Sequence, residues 1–296
     1  MNEITKKTKK FNVGPGQRYG MMFFSCILCY LVAAFIMAFI LRNDITCAKM
    51  RIAMVMQDII MFIMPAVATA VVVARRPGDF LMITRKPDLA GILLVFMTLI
   101  VSIPAMNAII AINKGVVLPE SMHAIQQWMT DTEQAANESM GLVIGNGSVG
   151  SLIVGLLLIG VMAGFSEELF FRGSLQQIIK STPVSGHVAV WLTAFIFSAV
   201  HMQFFGFLPR MLLGAFFGYM AWWSGSLWYA VAAHVFNNSI AFIAIWLKVR
   251  SSGEIDLDSM LTPSLTATDT PTILASILLT AAGIYIIYNR FKKSCK

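Results

Sequence analysis

Residues Val149–Arg172 read VGSLIVGLLLIGVMAGFSEELFFR, an apolar run that ends in two adjacent glutamates and an arginine. The run is long enough to cross a bilayer, because about 20 apolar residues in a helix span the hydrocarbon core. A charged side chain in hydrocarbon costs at least about 2.5 kcal/mol, so it usually marks a functional site or has a buried partner. Glu167 and Glu168 therefore predict a site built within a membrane-spanning helical bundle.

The composition of the whole chain supports this fold class. Of 296 residues, 57% are hydrophobic and only 12% are charged, whereas soluble domains carry about 25% charged residues. The long continuous apolar runs exclude a β-barrel, whose strands are short and alternate. The predicted fold is all-α, a polytopic transmembrane helical bundle of about eight spans. The eight candidate spans are Tyr19–Leu41, Ile52–Ala74, Ala90–Ile112, Val149–Arg172, His187–Gln203, Phe207–Ser224, Ser226–Lys248 and Pro271–Tyr288.

The distribution of Lys and Arg predicts the orientation of the bundle. With the N-terminus in the cytoplasm, 15 basic residues fall in cytoplasmic segments and 7 in outer segments, as the positive-inside rule requires. An even number of spans then places the C-terminus in the cytoplasm as well. The net charge of +7 is carried by loops, and no basic face interleaved with aromatic residues is present. The pattern argues against nucleic-acid binding.

The predicted spans and loops divide the chain into three regions. Residues 1–148 form an N-terminal membrane region with three spans and an outer amphipathic segment, Pro119–Met140, predicted to be an interfacial helix. Residues 149–248 form a core of four helices that carries the polar motifs. Residues 249–296 hold the last span and an outer loop, and residues 251–270 are predicted to be flexible because they are rich in Ser, Thr and Asp.

The spacing within the first polar motif separates the roles of its two glutamates. Glu168 and Arg172 are four residues apart and can pair on one helix face. Glu167 is turned by about 100° from Glu168, so it stays available as a general base. The alternative is that all three charges form one buried network that only holds the bundle together. We predict a structural role for Glu168 and Arg172 and a chemical role for Glu167.

Two further motifs bring histidines into the next apolar runs. Phe197 precedes His201 by four residues and can hold the imidazole plane from the side. His234 and Asn238 present an imidazole and an amide on one face, and both groups are suitable donors to an oxyanion. Either histidine alone would also be explained as a polar contact between packed helices. The neighbouring Asn237 is an alternative to Asn238 as the amide donor.

Two features of the chain stay unassigned at this point. Asp58 is the one acidic residue of the second apolar run, and it is either a secondary cavity residue or a packing contact. The role of the 119–140 segment is also open.

The three motifs together resemble those of the CPBP intramembrane proteases. This family comprises the type II CAAX prenyl endopeptidases and their bacteriocin-processing and immunity relatives. The resemblance covers Gly164–Ala241, and it rests on Glu-Glu-x-x-x-Arg, Phe-x-x-x-His and His-x-x-x-Asn occurring in order, each in its own hydrophobic segment. It implies the following roles: Glu167 and His201 activate a water, His234 and Asn238 stabilise the oxyanion, and Glu168, Arg172 and Phe197 support the site.

The resulting hypothesis is an intramembrane endopeptidase of the bacterial plasma membrane. Its partners would be the lipid bilayer and a peptide or protein substrate that enters from the membrane or the cytosol. The sequence does not distinguish among three substrate classes: a leader peptide, a segment of a membrane protein and a prenylated tail. The alternatives are a non-catalytic scaffold or immunity protein and, ranked lower, a proton-coupled transporter.

No cofactor is expected, because the helical H-E-x-x-H pair of many zinc proteases is absent. Zinc held by Glu167, His201 and His234 is the alternative, since three such ligands can form a catalytic site with an open position.

Overall fold

The computed structural model describes residues 14–145, 147–252 and 266–294. Within these ranges the chain is helical and contains no strand. We number the main helices along the chain: α1 Pro15–Ile40, α2 Cys47–Val73, α3 Leu89–Lys114, α4 His123–Ile144, α5 Val149–Lys180, α6 Gly186–Ala199, α7 Phe207–Ser224, α8 Leu227–Ser252 and α9 Thr270–Ser294. Most of the predicted flexible loop at 251–270 lies outside the described residues.

Seven of these helices are long and apolar enough to cross a membrane, all except α4 and α6. The predicted all-α transmembrane bundle is therefore confirmed. The fifth predicted span, His187–Gln203, corresponds to α6, an apolar helix that is shorter than predicted because it ends at Ala199 and has 14 residues. Such a helix is about 21 Å long, shorter than a hydrocarbon core of about 30 Å. The orientation of the bundle and its division into three regions stay predictions.

The turn after α6 has a physical cause. Met202 adopts a left-handed backbone conformation with φ of 56°, which a helix cannot accommodate. The Ser198 hydroxyl donates to the carbonyl of Phe207, at 2.7 Å, and so ties the end of α6 to the start of α7. His201 therefore lies in a turn between two helices and not on a helix.

A proline in α3 is compensated by its neighbour α9. Pro104 interrupts the hydrogen-bond ladder of α3. The Ser276 hydroxyl of α9 receives a hydrogen bond from the backbone N–H of Ala105, at 3.1 Å, and donates to the carbonyl of Val101, at 2.6 Å. Polar backbone groups within a membrane need such partners, so this serine joins α3 to α9 and satisfies the backbone beside Pro104.

Glycines allow α5 and α8 to approach closely. A Cβ atom on Gly160 would lie 2.7 Å from the Ser239 hydroxyl, and one on Gly164 would lie 3.1 Å from the backbone nitrogen of Val235. Small residues at such crossings let helix backbones come together in membranes. The close approach at Gly164 brings the glutamates of α5 next to His234 of α8.

Wide π-helical turns interrupt the helices that surround this contact. One spans Asp58–Ile63 in α2, and two lie in α5 at Leu156–Met162 and Leu169–Leu175. Glu167 and Glu168 occupy the short α-helical segment between the two turns of α5. Turns of this type are rare in proteins, but many of those that occur lie at functional sites.

The predicted amphipathic helix is present as α4. The Arg51 guanidinium of α2 donates to the carbonyl of Val143 at 3.0 and 2.9 Å. These bonds satisfy a carbonyl that has no partner within its own helix, and the positive charge complements the helix dipole at the C-terminal end of α4. The ring of Trp128 lies 5.0 Å from that of Phe204, in the turn before α7. These contacts hold α4 against the end of the bundle where α6 turns into α7.

Candidate active site

One carboxylate oxygen joins two helices, α5 and α8, inside the bundle. Oε1 of Glu168 accepts a hydrogen bond from Nη1 of Arg172, at 2.6 Å, and lies 2.8 Å from Nδ1 of His234. Both side chains of the ion pair are fully buried. The predicted i,i+4 pairing of Glu168 with Arg172 is present, and His234 is an additional partner that helix spacing alone does not indicate.

The environment of Arg172 compensates for its burial. Nη2 donates to the carbonyl of Gly214 in α7, at 2.8 Å. The guanidinium carbon lies 4.6 Å from the ring centroid of Phe197 and 5.6 Å from that of Phe217. Guanidinium groups are attracted to aromatic faces, more strongly when desolvated. Arg172 thus fixes the relative positions of α5, α6 and α7 around the pair.

Glu167 points to a different side of α5 from Glu168. Its Oε2 atom lies 3.8 Å from Nε2 of His234, beyond hydrogen-bond distance. Among the described residues this oxygen has no hydrogen-bond partner. The Glu167 carboxylate lines a cavity, as expected from its turn of about 100° relative to Glu168.

The hydrogen bonds of the two histidines determine which ring nitrogens carry protons. Nδ1 of His201 lies 2.7 Å from the carbonyl oxygen of Phe197, which can only accept, so Nδ1 is the protonated nitrogen. In His234, Nδ1 faces the Glu168 carboxylate, and the same reasoning applies. In the neutral form of both rings, Nε2 is then the acceptor nitrogen.

Phenylalanine rings position both imidazoles. The Phe197 ring contacts that of His201 edge-on at 5.0 Å, as the motif spacing predicts, and also contacts His234 at 5.8 Å. The ring of Phe217 in α7 stacks on His234 at 4.8 Å. The two histidines are therefore held by one aromatic cluster.

Both asparagines of α8 face the same space. Nδ2 of Asn238 donates to the carbonyl of Ile159, at 3.1 Å, and Nδ2 of Asn237 donates to Oδ1 of Asn238, at 3.3 Å. Both side chains line the cavity that contains Glu167. Each amide has a second N–H that these bonds do not use, so Asn237 and Asn238 both stay candidates for the amide donor.

The cavity has a volume of about 350 Å³ and brings together all four predicted catalytic residues, Glu167, His201, His234 and Asn238. It extends past Arg210 to Lys114, at the end of α3, and to Glu133 and Asn137 of α4. The orientation predicted from basic residues places α4 outside the cell. The entry of substrate from the membrane or from the cytosol stays a prediction.

Arg210 is a cavity residue that the sequence analysis missed. It lies on α7, and its side chain lines the cavity. Its guanidinium donates to Oε1 of Gln203, at 2.8 Å, and to the Gln203 carbonyl, at 3.3 Å. An arginine inside the apolar span Phe207–Ser224 was the available signal, because charged residues within spans usually mark function.

The geometry does not fit the zinc alternative. Within residues 14–145, 147–252 and 266–294, no group of three His, Cys, Asp or Glu side chains is arranged to hold a metal ion. The expectation of no cofactor stays a prediction for a chelation experiment.

A comparison with protein families matches this part of the chain. Residues 149–240, 92 of 296 residues, match the family described as Type II CAAX prenyl endopeptidase Rce1-like. The predicted resemblance is thereby confirmed for the segment that carries the three motifs. Comparisons with curated proteins and with solved structures gave no significant match. The seven apolar helices indicate an integral membrane protein, and its segment 149–240 is similar to the type II CAAX prenyl endopeptidases.

Proposed function

We propose that this protein is an intramembrane endopeptidase that hydrolyses a peptide bond with water activated by Glu167 and His201. His234 and one of the asparagines of α8 stabilise the oxyanion that forms on the scissile carbonyl. Glu168, Arg172 and Phe197 hold the site in place. A bacterial plasma-membrane location is part of the proposal.

One observation carries this proposal. Glu167, His201, His234 and Asn238 belong to three separate segments of the chain, and their side chains line one cavity of about 350 Å³. A scaffold would need these groups paired with one another to offset their burial. Instead, the Glu167 carboxylate and the amides face open space that is large enough for water and a peptide segment.

The proposed reaction needs only groups that this cavity contains. Glu167 takes a proton from a water that His201 helps to orient through Nε2, and the water oxygen attacks the carbonyl carbon. For His234 to donate from Nε2 to the oxyanion, its ring must carry a proton on both nitrogens. When the tetrahedral intermediate collapses, the C–N bond breaks and the proton held by Glu167 passes to the leaving nitrogen.

The substrate is proposed only as a class. It is a peptide segment that reaches the cavity from the membrane or from the cytosol, such as a leader peptide, a membrane-protein segment or a prenylated tail. Bacteriocin processing or immunity is a role by resemblance alone.

The test compares purified wild-type protein with Glu167→Gln on a panel of prenylated and leader peptides, with and without a zinc chelator. Glu138→Gln, an exposed glutamate of α4, is the matched control. Cleavage by wild type and the control, lost in Glu167→Gln and indifferent to chelator, is the expected result. Cleavage that disappears on chelation would instead make Glu167, His201 and His234 metal ligands.

Two other results would overturn the proposal. Unchanged cleavage by Glu167→Gln would remove Glu167 from the mechanism. A wild type that cleaves nothing while Glu167→Gln retains its biological activity in cells would favour the scaffold or immunity alternative. Flux driven by a pH gradient in proteoliposomes, without cleaved products, would favour the transporter.

A further inference from the structure

A second cavity lies between α3, α6, α7 and α9, and Leu213 of α7 stands in the wall between it and the cavity that contains Glu167. The volume of this α3–α9 cavity is about 420 Å³. Ala105 and Met106, which follow the proline of α3, line it on one side. The four residues assigned to the chemistry of the proposed reaction line the other cavity, so the α3–α9 cavity is available for another role.

The wall of the α3–α9 cavity is apolar. Most of the residues that line it are aliphatic or aromatic. The hydroxyls of Thr98, Ser102 and Thr280 each donate to a carbonyl of their own helix, at 2.7 to 2.8 Å, and that of Tyr219 lies 2.8 Å from Nδ1 of His187. Water needs several polar partners to occupy a cavity, and apolar cavities stay dry or take up apolar molecules. This wall therefore favours an apolar occupant.

The cavity opens on the outer surface of the bundle, between α6 and α9. Trp191 of α6 and Ile277 of α9 both line it, and their side chains are 41% and 49% exposed. The outer surface of a membrane-spanning helix such as α9 contacts the hydrocarbon of the bilayer. A lipid chain is therefore the apolar group that lies next to this opening.

A connected series of four aromatic rings lies at the end of the cavity, with a lysine against each terminal ring. Neighbouring ring centroids are 6.0, 4.7 and 5.1 Å apart. The two ammonium nitrogens lie 5.7 and 5.4 Å from the centroids of the terminal rings. Two of these rings, those of Tyr219 and Trp223, also line the cavity. This lysine–aromatic cluster consists, in order of contact, of Lys180, Trp222, Tyr219, Trp223, Tyr288 and Lys292.

The two lysines give the cluster a positive charge. In the part of the chain that the structure describes, neither ammonium group forms an ion pair with a carboxylate. The orientation predicted from basic residues places Lys180 and Lys292 at the cytoplasmic face. Trp and Tyr rings concentrate at membrane interfaces, and basic pockets between helices on the cytoplasmic side bind anionic headgroups. The charge of the cluster is therefore complementary to an anionic lipid headgroup.

We propose that an anionic phospholipid binds here, with one acyl chain in the α3–α9 cavity and its headgroup at the lysine–aromatic cluster. Tyr219 and Trp223 belong to both the cluster and the cavity wall, so they contact the lipid where the chain joins the headgroup. A lipid with a neutral headgroup fills the cavity equally well but gains nothing from the lysines. The site is therefore selective for negative charge.

The bound chain lies on the far side of α7 from the candidate active site. Phe216 lines the α3–α9 cavity, whereas the adjacent Phe217 stacks on His234 at 4.8 Å. A chain in the cavity therefore supports the helix that carries Phe217. Lipid binding does not depend on the proposed function, and the two are tested separately.

Native mass spectrometry of the purified protein in detergent measures lipid binding directly. Dioleoyl phosphatidylglycerol is the anionic probe, and dioleoyl phosphatidylcholine, which has the same chains, is the neutral one. The double variant Lys180→Gln with Lys292→Gln removes the charges of the cluster. Arg75→Gln with Lys86→Gln, two exposed residues between α2 and α3, is the charge-matched control. We expect the affinity for phosphatidylglycerol to fall by about fivefold for each lysine removed from the cluster, without a comparable change in the control or for phosphatidylcholine.

A second pair of variants tests the cavity. Ile277, Thr280, Ala281 and Ile284 line it at helical spacing, whereas Ala282 is exposed on the neighbouring face of α9. Ala281→Phe should weaken the binding of both lipids by about tenfold or more, as expected when two or more methylenes lose their burial. Ala282→Phe should bind as wild type does. Excess phosphatidylglycerol should also raise the unfolding temperature of wild type more than that of Ala281→Phe, and unfolding in the absence of lipid verifies that each variant is folded.

Three results would overturn the proposal. Equal affinity of wild type for the two lipids would exclude recognition of an anionic headgroup. Wild-type affinity in Ala281→Phe would exclude the cavity, and if that variant does not fold, wild-type affinity for phosphatidylglycerol in the double lysine variant would exclude the site. Binding of a prenylated peptide but not of phosphatidylglycerol to wild type would make the cavity a substrate subsite. If Glu167→Gln cleaves normally, the proposed function fails while the lipid site is still decided by these affinities.

Discussion

Oε1 of Glu168 lies 2.8 Å from Nδ1 of His234, so the second glutamate of the pair sets the orientation of the imidazole. Since a carboxylate accepts, the bond keeps the proton on Nδ1 and directs Nε2 to Glu167, 3.8 Å away. The same oxygen also neutralises Arg172. Glu168 therefore links the ion pair that holds the bundle to the histidine that faces the cavity.

We predict that Glu168→Gln lowers both stability and turnover. It leaves the buried Arg172 without a counter-charge, and breaking a buried pair costs about 3–5 kcal/mol. It also replaces a charged acceptor of His234 by a neutral one. Thermal unfolding and peptide cleavage measure the two effects.

A double variant, Glu168→Leu with Arg172→Met, separates these effects. Replacing both members of a buried pair by apolar residues is often neutral for stability, so we expect much of the unfolding temperature to return without the turnover. Full recovery of cleavage in this variant would show that Glu168 does not act on His234.

Alanine substitution can determine whether Asn237 or Asn238 is the amide donor to the oxyanion. Asn238→Ala should lower kcat by about 10²–10³-fold if Asn238 donates to the oxyanion, with little change in KM. Asn237→Ala is the matched comparison, because its amide also lines the cavity. A large fall in kcat for Asn237→Ala, with Asn238→Ala near wild type, would reverse the assignment.

The helical class of the fold and the core of the site could be predicted because both depend on local periodicity. Apolar runs of about 20 residues mark spans whatever their packing, and i,i+4 spacing placed Glu168 beside Arg172. Three polar motifs in successive apolar runs predict a shared site, and the structure places Glu167, His201, His234 and Asn238 in one cavity.

The remaining features of the site depend on tertiary contacts, which the spacing of residues along the chain does not reveal. His201 lies outside α6 because the chain turns at Met202. Arg210 lines the cavity because α7 packs against the other helices that surround it. The burial of Asp58 depends on the packing of α2 on α5. The hydrogen bond that His234 donates to Glu168 depends on the close approach of α5 and α8 at Gly164.

We predict that Gly164→Ala disturbs this approach. Its Cβ atom would lie 3.1 Å from the backbone nitrogen of Val235, and backbone cannot rotate away as a side chain can. Overpacking of this kind costs about 1–3 kcal/mol, and the displaced α8 should carry His234 away from Glu168 and lower turnover. Gly150→Ala is the control on α5, since the nearest atom to its Cβ, the Ser148 Oγ, is 3.8 Å away. Equal unfolding temperatures and turnover for the two variants would contradict the tight crossing.

The last prediction concerns Asp88, which joins three helices at the opposite end of α3. Its carboxylate accepts from the Tyr229 hydroxyl of α8, at 2.6 Å, from the backbone N–H of Gly91, at 2.8 Å, and from the guanidinium of Arg290 in α9, at 2.6 Å. These bonds, chiefly that of Tyr229, lower the pKa of Asp88 from 3.8 to about 2.

A lowered pKa means that the ionised carboxylate stabilises the folded bundle. This contribution is complete above about pH 4 and is lost as the pH falls towards 2. The unfolding temperature of wild type should therefore exceed that of Asp88→Asn at neutral pH, and the difference should shrink across this window. Tyr229→Phe should remove the largest single part of the same difference. Asp131→Asn, on the exposed face of α4, controls for general acid effects, and a gap between wild type and Asp88→Asn that is constant from pH 6 to about pH 2 would refute the assignment.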